Sequence, residues 1–180
     1  MDNAGFGRFC ARVTACHMVT YFVAGIAALS LFDYAAAFQS AYLSCYMKPI
    51  DSKWIAMGPA LQWIRGLIFA AALYPFRQVF LEGAHGWLKL WGLLLGLAIL
   101  STAGAAPGSI EGLIYTQIPP IDQLLGLREV AAQTLAFSWL LVAWYQRPHR
   151  AWGIVLYGLS VLVVLLSVAG AVLPRPGSLR

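Results

Sequence analysis

The chain has 180 residues, 61% hydrophobic and 11% charged, with a mean hydropathy of +0.73, where a soluble domain carries roughly 25% charged residues. A water-exposed globule is therefore excluded, and so is a nucleic-acid binder, because the net charge of +5 is spread singly with no clustered basic face. Cys10, Cys16 and Cys45 form no C-x-x-C pair, which leaves neither a disulfide framework nor a zinc motif.

Several apolar runs approach the ~20 residues that cross a ~30 Å hydrocarbon layer. They predict an all-α integral membrane protein, a single-domain polytopic bundle of about five transmembrane helices with a long folded-back external loop. The first run, 13–32, follows Arg8 and Arg12, which place the amino terminus in the cytoplasm of a cell with an inner membrane. Ala35-Ala36-Ala37 imitates a signal-peptidase site, but the run is read as an uncleaved span. Asp33 is expected to end it, with an interfacial helix carrying Tyr34, Tyr42 and Tyr46 to follow; the alternative is one helix reaching Met47 with Asp33 inside.

The second span, 59–76, is expected to begin with Pro59 in its first turn. That start puts Arg65 about 9 Å along the helix at a ~1.5 Å rise per residue. Pro75 ends or kinks this span, and Arg77, Glu82, His85 and Gly86 make a short cytoplasmic turn. In the third span, 87–104, Trp87 and Trp91 suit a headgroup-level belt and Gly92-x-x-x-Gly96 permits a close helix crossing.

The connection 105–122 has no basic residue, as an external loop should, and is too apolar at Ile110, Leu113, Ile114 and Tyr115 to be left in water. It predicts a short helix from Ser109 with Glu111 in its first turn. Asp122 is the expected N-cap of the fourth span, 123–146. Arg128 and Glu129 then fall roughly 9 to 10 Å below the outer surface. The basic turn QRPHR leads to an uncharged fifth span, 151–173, ending at Pro174. Arg8, Arg12, Arg77, Lys89, Arg147 and Arg150 lie inside in this layout, against Lys48, Lys53, Arg175 and Arg180 outside.

Ionisable side chains within spans are costly and normally face a bundle with a partner. Arg65, Arg128 and Glu129 at similar depth, Asp33 and Glu111 nearer the surface, and Gln62 and Gln133 at helical spacing from Arg65 and Glu129 predict one outward-facing cluster. Three readings follow. The charges neutralise one another and tie the loop to the helices; or Arg65 and Arg128 form a paired guanidinium site for a carboxylate or phosphate; or Glu111 or Glu129 acts as an acid or base. No catalytic residue and no metal ligand is assigned, and no cofactor: only His17 of the three histidines lies within a span, so two axial haem ligands are lacking.

The tryptophans Trp54, Trp144 and Trp152 are read as belt residues, and Trp63 and Trp139 as core packing. The functional expectation is a non-enzymatic membrane protein that binds a small anionic or amphipathic ligand, or a partner subunit, at the cluster. A solute transporter or channel subunit, and a membrane enzyme acting on lipid head groups, are the alternatives. Expected partners are the lipid bilayer and, for a short bundle with an odd number of spans, a second copy or a membrane-complex subunit.

Overall fold

The computed structural model describes residues 5–45, 47–49, 51–100 and 106–173, excepting the side chains of Tyr34 and Ala35. The expectations placed on Tyr46, on 101–104 and on Pro174, Arg175 and Arg180 lie outside the described residues. Among those described, every regular element is helical: α1 (Phe6–Leu31), α2 (Tyr34–Gln39), α3 (Lys53–Leu73), α4 (Gly86–Leu100), α5 (Ile110–Tyr115), α6 (Pro120–Gln146) and α7 (Arg150–Val172). α1, α3 with its extension to Phe76, and α7 are long and apolar enough to cross a membrane, and α4 is apolar but shorter.

Three helices start earlier than the sequence suggests, each for a local reason. α1 begins seven residues before 13 because its first turns have packing to make: Phe6 and Phe9 set their rings edge-on to Tyr74 at 4.9 and 5.5 Å. α3 begins at Lys53, where Ser52 caps it by accepting from the Trp54 N–H at 3.3 Å. Pro59 is therefore internal, removing one i→i−4 bond that a bundle tolerates near a helix start. α6 begins at Pro120, whose fixed φ suits a first helical position, so Asp122 is not its N-cap and sits in the first turn instead.

Asp33 ends α1 and starts α2, its Oδ1 accepting from the Ala36 N–H at 3.0 Å. Ser109 caps α5 by accepting from the Gly112 N–H at 2.9 Å, with Glu111 in the first turn. Past Leu73 the chain tightens into a 3₁₀ turn at Tyr74–Phe76 and then widens into a π turn at Gln78–Glu82. His85 adopts a left-handed φ of 59°, and Gly86 follows where a Cβ would stand 1.8 Å from the Phe80 carbonyl oxygen. No side chain fits there.

α1 is the central helix, packed against α3, α6 and α7; α7 also lies along α3, and α4 along α6. α3 and α6 flank α1 with little direct packing between them. The tightest crossing is α1 on α3, where Gly66 meets the Thr14 backbone. The Gly92/Gly96 pair makes no such crossing, since a Cβ at either position would meet nothing within 4 Å. Two small residues in an apolar helix do not create a contact unless a partner backbone arrives.

Buried Ala28, Ala60 and Val163 lie toward the other end, but the contiguous hydrophobic cluster occupies the end of the bundle where α1 begins. Its buried members run from Phe9 to Val19 on α1 and from Phe137 to Trp144 on α6, with Leu73, Leu81, Leu90 and Leu156 closing it. Trp144 is thus a core residue rather than part of a belt, with Arg12 stacked over its ring at 5.4 Å. Trp63 and Trp139 do the opposite and are about half exposed, 47% and 53%. At the far end α1 exposes Val23, Ile26, Leu29 and Leu31. The helices are close-packed at the near end, while at the far end α3 and α7 stay together, a Cβ on Gly170 falling 3.7 Å from Ala56 Cβ, and α1 presents an exposed face.

Candidate functional site

The seven residues expected to form one cluster are distributed over four places. Deepest is a polar junction in which α3 and α6 meet across α1. His17 of α1 is buried, with Nε2 3.2 Å from Gln62 Oε1 and Nδ1 3.5 Å from Gln133 Nε2. An amide oxygen only accepts, so His17 donates from Nε2 to Gln62, and Nδ1 accepts from the Gln133 amide. Gln62 in turn donates from Nε2 to the Gly58 carbonyl at 3.3 Å, which orients its oxygen toward the imidazole. Phe69 and Phe137 pack edge-on to the same ring at 4.9 and 5.9 Å.

This junction was hidden in the sequence. With α1 beginning at Phe6, His17 is eleven residues in, near the middle of the helix rather than toward one end. The sequence places Gln62 and Gln133 only by their spacing to charged neighbours on their own helices, which says nothing of a partner across the bundle.

Above the junction, Arg65 is exposed and sets its guanidinium 5.5 Å over the Phe69 ring. Tyr21, one turn along α1 from His17, is within electrostatic range of both Arg65 and Glu129. Because α3 starts at Lys53, Arg65 is twelve residues in, about 18 Å along the helix and not 9. Arg128 runs the other way. Its Nε donates to the Leu125 carbonyl at 3.2 Å and its guanidinium lies 4.7 Å over Phe32, at the end of α1. The two guanidinium groups thus lie over different rings, Arg65 over Phe69 in mid-bundle and Arg128 over Phe32 at the far end.

At that far end α2, the turn that follows it and the first turns of α6 enclose a cleft of about 410 Å³. Asp33, Arg128 and Glu129 line it, together with Asp122 and Tyr42. Its apolar walls are Phe32, Phe38, Leu43 and Leu125. The Tyr42 hydroxyl donates to Asp122 Oδ2, which ties the α2 side of the cleft to α6. The same hydrogen bond to a carboxylate pushes the Tyr42 phenol above its ordinary pKa, since ionising it would set two anions together. Tyr42 also borders a second cleft of about 280 Å³, lined by Cys45, Pro107, Thr116 and Ile118 among others.

Glu111 does not line either of these clefts; it stands on α5. α5 is fastened to α6 by Gln123, whose amide is buried. Its Nε2 donates toward the Gly112 and Ile118 carbonyls and Thr116 Oγ1 at 3.0 to 3.3 Å, and its Oε1 accepts from the Gly108 N–H at 3.2 Å. The loop is thus held by a glutamine rather than by charges.

Sequence reasoning missed His17, Tyr42 and Gln123 as organising groups. A signal existed for the first and last, since a His or Gln within an apolar run needs a hydrogen-bond partner. Among the described residues no group of three His, Cys, Asp or Glu is placed to hold a metal ion. No known protein family matches the chain, and neither a curated protein nor a solved structure matches it.

Proposed function

We propose that the chain is a multi-pass protein of the cell membrane that binds a small amphipathic molecule in the cleft between α2 and α6. In this reading α1, α3, α4, α6 and α7 are the five spans, and the near end of the bundle faces the cytoplasm. Charge supports that orientation: Arg8, Arg12, Arg77, Lys89, Arg147 and Arg150 belong to the near end and Lys48 and Lys53 to the far end. The polar half of α6 supports it too, because Asp122, Arg128 and Glu129 concentrate at the far end, away from the contiguous hydrophobic cluster, where charged groups can reach an aqueous surface.

The observation that carries the binding role is the cleft itself, about 410 Å³ with apolar walls and a charged rim. That volume is within the ~300–1,000 Å³ typical of small-molecule sites, which combine apolar lining with few polar groups. Such a surface fits a molecule with one apolar and one polar part, held rather than transformed.

The test fills the cleft. Leu125 lines it and is partly exposed, so Leu125→Trp adds bulk without opening the core. Decyl maltoside, an uncharged amphiphile, should bind saturably to the wild-type protein in nanodiscs and not to the variant, with helix content unchanged. Equal binding by both would remove the cleft as the site.

A further inference from the structure

We infer that the polar part of the molecule held in this cleft is cationic, an ammonium-type group rather than a carboxylate or phosphate. The inference rests on the reading of the cleft as an amphiphile site and adds the sign of the ligand. It reverses the expectation drawn from Arg65 and Arg128 as a pair.

The lining charges decide it. Among the described residues, Asp33, Asp122 and Glu129 line the cleft against a single guanidinium, that of Arg128. Leaving Glu129 to its own neighbours, two carboxylates still oppose one cation. The hydrogen bonds made to them come from neutral donors, the Ala36 N–H for Asp33 and the Tyr42 hydroxyl for Asp122. Arg128 is bonded to the Leu125 carbonyl and stacked over Phe32, so its guanidinium is already engaged within the lining. Arg65 lines neither this cleft nor the one beside Tyr42. An anion entering would meet more repulsion than attraction, whereas an ammonium group could sit between Asp33 and Asp122 with its chain along Phe38, Leu43 and Leu125.

The experiment compares three probes with one chain length: decyltrimethylammonium, decyl maltoside and decyl phosphate. Each is titrated onto the full chain in nanodiscs of zwitterionic lipid, with empty nanodiscs subtracted. The ammonium probe should bind most tightly and the phosphate probe most weakly. A double variant, Asp33→Asn with Asp122→Asn, removes the charges but keeps both hydrogen-bond acceptors, since Asn caps helices as Asp does. It should lower ammonium affinity tenfold or more, since each unit charge at ~4 Å is worth ~1 kcal/mol in water-like dielectric. Maltoside affinity should fall less than ammonium affinity does.

Maltoside binding with no preference for ammonium, or an ammonium affinity indifferent to the double variant, overturns the sign while leaving the site. Failure of all three probes to bind saturably overturns the site and the sign together.

Discussion

Gly66 is where the packing of the bundle can be tested most sharply. A Cβ added there would stand 2.7 Å from Thr14 Cα and 3.0 Å from its Cγ2. The nearest atom is backbone on a helix already fixed by the core on its other faces, so α1 and α3 must move apart for Gly66→Ala to fit. Overpacking of this kind costs about 1 to 3 kcal/mol. For a chain of this size each kcal/mol moves the melting temperature by about 2 to 4 °C, so a loss of about 2 to 12 °C is expected in detergent, read by circular dichroism. Gly92→Ala and Gly96→Ala are the controls. A Cβ at either meets nothing within 4 Å, so alanine should be neutral or raise stability through better helix propensity. Wild-type stability of Gly66→Ala, or greater damage from Gly92→Ala, would refute the assigned crossing.

Two further outcomes follow from the buried polar groups. His17→Leu leaves the Gln62 oxygen and the Gln133 amide without the imidazole they face, and should destabilise the protein by about 1 to 3 kcal/mol; adding Gln62→Leu should recover part of that loss in a double-mutant cycle, and strict additivity would deny the coupling. Gln123→Leu removes the four bonds that hold α5, so amide hydrogens of 108–118 should exchange faster while those of the Phe137–Trp144 core stay unchanged; equal protection in both proteins would show that α5 is held by something else.

Element type was legible in the sequence because long apolar runs leave little choice but helix. Ser109 before an apolar stretch, and Asp33 between two, marked helix starts that the structure contains. Helix starts inside amphipathic flanks were not legible. Pro59 suggests a first turn, but Ser52 caps the helix further back and α3 begins at Lys53. That six-residue difference doubled the distance of Arg65 from the start of its helix and so displaced it from Arg128 in the assembled bundle. Composition likewise identified which polar residues needed partners but not which partners. Gln62 and Gln133 lie far apart in sequence and are joined by His17 of a third helix. Tyr42 carried no signal, since nothing local to it points to Asp122.

The central claim is that the cleft is the outward-facing end of a membrane-spanning bundle, and Cys45 reports on it directly. Its thiol is exposed and lines the cleft adjoining Tyr42, while Cys10 and Cys16 are buried. Intact cells expressing the protein should therefore be labelled at Cys45 by a membrane-impermeant sulfonated maleimide added outside. Labelling that appears only after the membrane is permeabilised would place this end in the cytoplasm and contradict the account.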